Sequence, residues 1–591
     1  MFNNKNYIFI FTITPVQSFI SQARKTRDLY AGSQILSQLT KKAIEVAKEQ
    51  NAEIIIPNVD IEKAHSISNK FVAVFNNIDE ENLETIGKNI EFNTLLYWKN
   101  EIANKTLEKI KNKTVSNQND EFLHKFNDHI TKYFNIYWLF YPVENDNYQV
   151  AYKEAEKYLG AIKNVRYFQQ FDTEERYRKC SICGERDAIV YKNIKFVDKN
   201  KTEPAYAYKN SLLLKNSYLI EENEGLCGIC FVKRFYQHQE NTEYFPSTVK
   251  IALLSLLNYE EIEKSIEKYK ENFHDCWNDQ FLIEENLNKR YLEKQGCKEI
   301  DIQKAKKELK EIYEIVKEKG FKISKYYALI KFDGDSMGKW LSGEFLDDKS
   351  KLREFHECLS CLLSDFAKHS KDYLDGDNKG KTVYAGGDDF LGFINLQYLF
   401  DVMETLREDF RKKVSQPLKE KFNLEKELTF SAGIVIAHYK DPLSLVLSWV
   451  NKMEEEAKNI DDNKDAFGIA VLKRSGEIRK AVYKWEKLKH IKEIYEKVVK
   501  QKEFNSSFIS KLEAGFRKMP VESNEFLNKS GDFLIEADLK RVLRKSSNIK
   551  DKKILKEKID CLIPNLFNLI SEKPTNFFEI LNILKFLERE L

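Results

Sequence analysis

Hydrophobic positions over the first quarter of the chain fall into short alternating runs separated by longer helical patterns. Tyr7–Thr14 (YIFIFTIT) reads as a strand, residues 15–50 as a helix, Glu53–Pro57 and Asn69–Phe75 as a strand pair around the turn Asn58–Ser68. After a further helical region, Ile136–Val143 reads as a fourth strand. The same order recurs later. Tyr326–Phe332 (YYALIKF) is a strand that stops at Asp333-Gly334-Asp335, and residues 351–371 are helical. Lys381–Ala385 and Phe390–Asn395 form a hairpin around Gly386-Gly387-Asp388-Asp389, residues 396–414 are helical, and Leu428–Ala437 closes the unit. Both stretches spell β-α-β-β-α-β, the split unit of ferredoxin-like folds, so an internal duplication is expected.

Between the repeats lie two cysteine pairs and a charged helical stretch, residues 259–319; after Gly476 the pattern reads as helices to the end. Single cores stop growing at roughly 250–300 residues, so 591 residues imply several domains. The expected architecture is α+β: a ferredoxin-like palm (residues 1–165), a zinc-binding and helical domain (166–320), a second palm (321–480) and a helical C-terminal domain (481–591).

Lys and Arg number 96 against 93 Asp and Glu, which excludes a strong whole-molecule field for nucleic acid and makes any polyanion contact local. The densest basic block, Lys540–Lys558, reads as a solvated helix face. No window approaches the ~18 continuous apolar residues of a membrane span, and the apolar start lacks a basic leader. A cytoplasmic protein without membrane contact is expected. Of the nine cysteines, four form two pairs and five show no disulfide framework.

Chemistry concentrates in the second repeat. In-line attack of a hydroxyl on an α-phosphate uses two cations about 3.5–4 Å apart, and carboxylates on neighbouring strands, about 5 Å apart, converge to hold them. Asp333, Asp388 and Asp389 are the expected catalytic acids, with Asp333 and Asp388 as ligands for two magnesium or manganese ions. Gly386 and Gly387 allow a tight turn near a triphosphate, and Gly334 and Asp335 are further candidates for facing a metal or nucleotide. DGD or GGDD alone is a common turn sequence; both at the right edges of one unit point to nucleotidyl transfer. The first repeat has Thr12 and Thr14 where the second has Asp333 and Asp335, so it reads as catalytically empty, Asp60 in its turn notwithstanding. GDSMGKW at 334–340 lacks Walker spacing, and no G-x-S-x-G elbow is present.

Cys180-x2-Cys183 and Cys227-x2-Cys230 have the spacing of a closed, structural zinc site. Cys358 and Cys361 share that spacing without a second pair and read as buried core cysteines. His124 and His129, five apart, would sit about 140° apart around a helix and share no metal.

These motifs, with FTITPVQSFISQARKTRDLYAGSQILSQL at the start, KFDGDSMGKWLSG, YAGGDDFLGF, SAGIVIAHYKDPL and KDAFGIAVLKRSGE, resemble the large palm-containing subunit of type III CRISPR effector complexes, in its Cmr branch (the Cas ten family). The resemblance covers nearly the whole chain. It implies facing palms, an interposed zinc domain and a helical end that touches small subunits. Its expected partners are the other subunits of a type III-B complex, guide RNA and target RNA. The expected activity is target-activated joining of ATP into cyclic oligoadenylate, with transfer of AMP to S-adenosylmethionine as the alternative. By motif, Ser431, Lys473 and Arg474 become candidate nucleotide contacts. Many relatives begin with a His-Asp nuclease domain; here the first palm strand starts at residue 7 and the first histidine is His65, so no such nuclease is expected. A GGDEF-like cyclase, a templated polymerase and a non-catalytic scaffold are the competing readings.

Overall fold

The computed structural model describes residues 5–110, 120–165, 177–192, 211–214, 219–221, 224–236, 245–297, 299–516, 529–570 and 574–591. The first repeat folds as β1 (Lys5–Thr14), β2 (Ala52–Ile56), β3 (Lys70–Ile78) and β4 (Asn135–Pro142), in the sheet order β2-β3-β1-β4. Strand alternation divides β1 between two cores. Phe9, Phe11 and Ile13 face the helix Thr26–Glu49 and the cysteine-bearing region. Ile8 and Ile10 face the helix Tyr148–Asn164 and, beyond it, the second repeat. The expected single helix over 15–50 is two, Gln17–Ser21 and Thr26–Glu49, because the Asp28 carboxylate accepts from the Arg24 and Lys25 backbone N–H groups and caps a new start.

The small strands β5 (Val190–Tyr191), β6 (Leu212–Leu213) and β7 (Gly225–Leu226) form a sheet in the order β6-β5-β7. Residues 249–323 build a satellite core of their own. Within it Cys276 and Cys297 form a disulfide with a Cα–Cα distance of 5.4 Å. That corrects the expectation for the five remaining cysteines, since a 21-residue separation across compact short helices is invisible as a spacing motif.

The second repeat supplies β8 (Tyr326–Gly334), β9 (Gly380–Gly386), β10 (Asp389–Ile394) and β11 (Phe430–His438), ordered β11-β8-β10-β9. In both repeats the fourth strand lies beside the first and the third beside the second, so the duplication is topological. Two strands extend this sheet beyond expectation: β12 (Ala466–Leu472), parallel to β11, and β13 (Ile478–Lys484), antiparallel to β12. The helical reading after Gly476 is thus corrected; in IRKAVYK the β-branched and aromatic residues favour a strand, and Ala481 and Tyr483, two apart, are buried. A boundary at residue 480 falls inside β13. The parallel connection between β11 and β12 is the helix Leu443–Lys458. It sits close to the sheet because a Cβ on Gly433 would meet the Val450 carbonyl oxygen at 2.2 Å.

The two repeats touch directly. Ser66 Oγ donates to the Ala385 carbonyl (2.5 Å) and Ser360 Oγ accepts from the Asn58 N–H (2.8 Å). Among the described residues five C-terminal helices follow, Leu488–Tyr495, Ser507–Phe516, Lys529–Lys545, Lys552–Ile570 and Pro574–Glu590. In the basic block Lys540, Arg541 and Lys558 pair with Glu536, Asp538 and Glu503. No helix among the described residues is long and apolar enough to cross a membrane.

Candidate active site

β8 carries Asp333 out to the end of the sheet, opposite Ser431 on β11, while Phe332 pairs with Phe390 on β10. On the other side Asp389 pairs with Gly386 and closes a two-residue turn, Gly387-Asp388. Gly387 has φ +66°, so a residue without Cβ is required there. Gly386 has ordinary room instead: a Cβ on it would meet nothing nearer than Ser66 Oγ at 3.6 Å. Gly334 marks a closer approach, since its Cβ would lie 3.0 Å from that of Asp388 and 2.7 Å from Met337 Cγ. The strand end and the hairpin turn are therefore in contact, and the three expected acids converge.

Their electrostatics show crowding. Burial, then the charges of Asp333 and Asp389, push Asp388 up to about 7. Burial likewise pushes Asp389 up to about 7, with Asp333 and Glu454 adding to it and Lys331 and the Tyr384 hydroxyl opposing it. One cation already reaches the cluster. Lys458 Nζ bonds Asp333 and lies 2.8 Å from Glu454, and although burial opposes its charge, these two carboxylates hold its pKa above the ordinary value. Lys331 Nζ lies 2.9 Å from Glu454 and donates to Asn451 (3.1 Å). Four carboxylates against two ammonium groups form a donor set short of positive charge, which fits divalent cations.

Asp335 points elsewhere. Its carboxylate accepts from Thr429 Oγ1 (2.8 Å) and the Asp465 N–H (3.1 Å), fixing the chain beyond β8. Of the three candidate nucleotide contacts, Ser431 stands across from Asp333 and the other two lie away from the cluster. Ser431 is fully buried, with its hydroxyl near the Ala466 N–H (3.4 Å). Lys473 and Arg474 follow the far end of β12, because Ala466, not Leu472, lies at the Asp333 end; they pair with Glu477 and Asp441. Sequence reasoning missed Tyr384, Lys331, Glu454 and Lys458. The signal available was the i, i+4 pair Glu454/Lys458 on one face of the helix after β11, but nothing local links it to Asp333.

In the first repeat the corresponding positions hold no acids: Thr12 Oγ1 accepts from Asn69 Nδ2 (3.2 Å) and Thr14 Oγ1 donates to the Asn135 carbonyl (3.3 Å). Asp60 pairs with Lys63 in an exposed turn.

The four paired cysteines come together, their sulfur atoms all within 4.8 Å of one another. Cys183 and Cys227 are 3.8 Å apart, the edge of a tetrahedron with bonds of about 2.3 Å. Cys227 caps the helix Gly228–Phe235, accepting from the Cys230 N–H (3.5 Å). His129, buried, accepts from the Gly228 N–H through Nδ1 (3.1 Å) and braces this knuckle from the first palm. Further along the same helix Arg234, also buried, forks onto Asp28 (2.5 and 2.9 Å) and Glu224 (3.0 and 3.1 Å). By contrast Cys358 is half-buried and Cys361 exposed, so they are not the core pair expected; the apolar face of their helix runs through Phe355, Leu359, Leu363 and Phe366 instead.

Comparison with known proteins agrees with this geometry. Residues 326–468 match the family model for the Cas10/Cmr2 second palm domain, and residues 8–114 that for the CRISPR-associated protein Cmr2 N-terminal region. The chain is 27% identical over 585 residues to the CRISPR system Cmr subunit Cmr2 of Pyrococcus furiosus, covering 83% of this chain and 64% of that relative. Two cryo-EM structures of type III-B Cmr-beta share the fold. The apo state gives a TM-score of 0.64 at 16% identity, covering 92% of this chain and 78% of that one; the form bound to cognate target RNA gives 0.66 at 15%, covering 99% and 83%. The chain therefore carries a region similar to the Cas10/Cmr2 second palm domain, whose acids converge, and a region similar to the Cmr2 N-terminal part.

Proposed function

We propose that the chain is the large subunit of a type III-B CRISPR effector complex and a target-RNA-activated nucleotidyltransferase that uses ATP to make cyclic oligoadenylate. The convergence of Asp333, Asp388 and Asp389 at one sheet edge carries the reading. The Cmr2 relative is a CRISPR system subunit, and a Cmr-beta assembly of the same fold is bound to target RNA, which supports guide and target RNA and further subunits as partners.

Asp333 and Asp388 would hold two magnesium or manganese ions, which when bound polarise the attacking hydroxyl and stabilise the departing pyrophosphate. Tyr384 orients Asp389, Lys458 offsets the charge of Asp333, and Gly334 lets the turn approach the strand end. Preorganised charge of this kind acts where negative charge develops. The thiolates of Cys180, Cys183, Cys227 and Cys230 would hold a structural zinc, closed to substrate because all four ligands are protein groups.

The test is mass spectrometry of the products made by the assembled, target-bound complex supplied with ATP and S-adenosylmethionine together. Cyclic oligoadenylate is the expected product. An adduct of AMP with S-adenosylmethionine would replace the acceptor while keeping the transfer chemistry, and absence of both would remove the enzymatic reading.

A further inference from the structure

The helix Leu443–Lys458 presents one stripe to the gap between the palms: Leu447, Asn451, Glu454 and Lys458, at spacings of four, three and four. Its C-terminal end is the catalytic edge, where Lys458 and Glu454 meet Asp333 and Lys331. Its N-terminal half, through Ser444, Leu447, Ser448 and Asn451, walls a cavity of about 720 Å³ whose opposite side is Ser21–Arg24 of the first palm. That cavity shares Arg24, Gln280, Tyr439, Lys440, Asp441 and Leu443 with a second one of about 970 Å³. From Lys458 back to Leu443 the helix spans about 22 Å at 1.5 Å per residue. The smaller cavity's lining reaches Asn451, which accepts from Lys331 Nζ beside the palm carboxylates, and from there the two cavities form a groove leading away from that cluster.

The larger cavity is built for a polyanion with flat groups. Arg24, Lys25, Arg27, Arg290, Lys294 and Lys440 line it, six cations against the four acids Glu221, Asp279, Glu285 and Asp441, in a chain whose charges otherwise nearly balance. Arg290 and Lys294 stand one turn apart on the helix Lys289–Gln295 and form no ion pair among the described residues. The Arg24–Glu221 pair is half exposed on both sides, so it exchanges readily for another anion. Trp277 and Tyr291 add aromatic surface, and cations interleaved with aromatic faces are what single-stranded nucleic acid needs. Each cavity is of the size that encloses a whole small ligand, so the two in series exceed what one nucleotide fills.

We propose that this groove holds a short single-stranded oligonucleotide, the chain growing at the palm site, with phosphates along Arg24, Arg290, Lys294 and Lys440 and bases against Trp277 and Tyr291. The assignment deepens the transferase reading and rests on it, because the chain of contacts from Asn451 through Lys331, Glu454 and Lys458 to Asp333 is what favours the palm's own product over an unrelated RNA.

The experiment measures fluorescence anisotropy of a labelled linear tri-adenylate on the full chain carrying Asp388→Ala and Asp389→Ala, where no transfer alters the probe. Expected is saturable binding that Arg290→Gln with Lys294→Gln weakens at least tenfold, with the slope of log K against log salt becoming less steep by roughly 1.4, about 0.7 per lost phosphate contact. Undiminished binding in the Gln variant, or binding only of RNA much longer than the groove, overturns the proposal. Because the probe is read without turnover, these failures are distinct from absence of product in the wild type, which would overturn the transferase reading alone.

Discussion

The hydroxyl of Tyr384 lies 3.1 Å from each carboxylate oxygen of Asp389, and the two residues stand on adjacent strands either side of the Gly387-Asp388 turn. A hydrogen bond to a charged group contributes about 1.5–3 kcal/mol. Tyr384→Phe should therefore cost roughly 10- to 100-fold in ATP turnover, with the magnesium concentration for half-maximal rate shifted upward. An unchanged metal dependence in steady-state kinetics would show that the hydroxyl does not orient Asp389.

Asp388→Ala with Asp389→Ala should abolish adenylyl transfer, by several orders of magnitude, since each ~1.4 kcal/mol of lost transition-state stabilisation costs tenfold. Folding should survive. Both groups are pushed up to about 7 by burial first and then by neighbouring carboxylates, Asp333 above all, so removing them relieves repulsion in the metal-free protein. Thermal melting without divalent metal should show an equal or higher Tm; near wild-type product formation would place the active site elsewhere.

Arg234 is fully buried between Asp28 and Glu224, themselves almost wholly buried. Arg234→Met leaves two buried carboxylates without their guanidinium and should destabilise the protein by about 3–5 kcal/mol. Chemical denaturation measures this, and a loss under 1 kcal/mol would mean that water replaces the guanidinium.

The cysteine cluster predicts one zinc per chain, released on Cys227→Ser together with loss of protease resistance around residues 177–236, since metal binding at a closed thiolate site is coupled to folding. Metal analysis of correctly folded protein that finds no zinc would falsify the assignment.

His356 joins the palms: its Nε2–H donates to the Leu341 carbonyl (2.8 Å), so Nδ1 accepts from the Tyr148 hydroxyl (3.0 Å). Burial pushes its pKa down from 6.5 to about 4, the Leu341 carbonyl opposing and Lys70 contributing; the ring of Tyr152 faces it as well. The unfolded chain takes up this proton near 6.5 and the folded one only near 4, so the stability is present above pH 6.5 and is lost as pH falls toward 4. At pH 5 the loss is about 2 kcal/mol. His356→Gln should flatten the decline in stability between pH 7.5 and 5 by that amount; an identical decline in both proteins would place the proton uptake at other groups.

The chain's local patterns determined much by themselves. Strand runs ending at Asp333 and turning at Gly387-Asp388 are written in consecutive residues, because a strand's period and a turn's backbone demands act over a few positions, and the cysteine spacing likewise encodes a knuckle within four residues. What only the tertiary structure decided is which distant groups meet those ends. Lys458 reaches Asp333 across 125 positions because Gly433 lets a crossover helix lie close on the sheet, and β13 joins that sheet although the chain after Gly476 reads as helical. Lys473, Arg474 and Ser431 look alike as nucleotide contacts by motif, yet strand register sends the first two to the opposite end of the sheet and sets the third, buried, across from Asp333. Side-chain spacing fixes a face locally, while the direction and pairing of strands, set by packing across the whole core, fix which faces share a site.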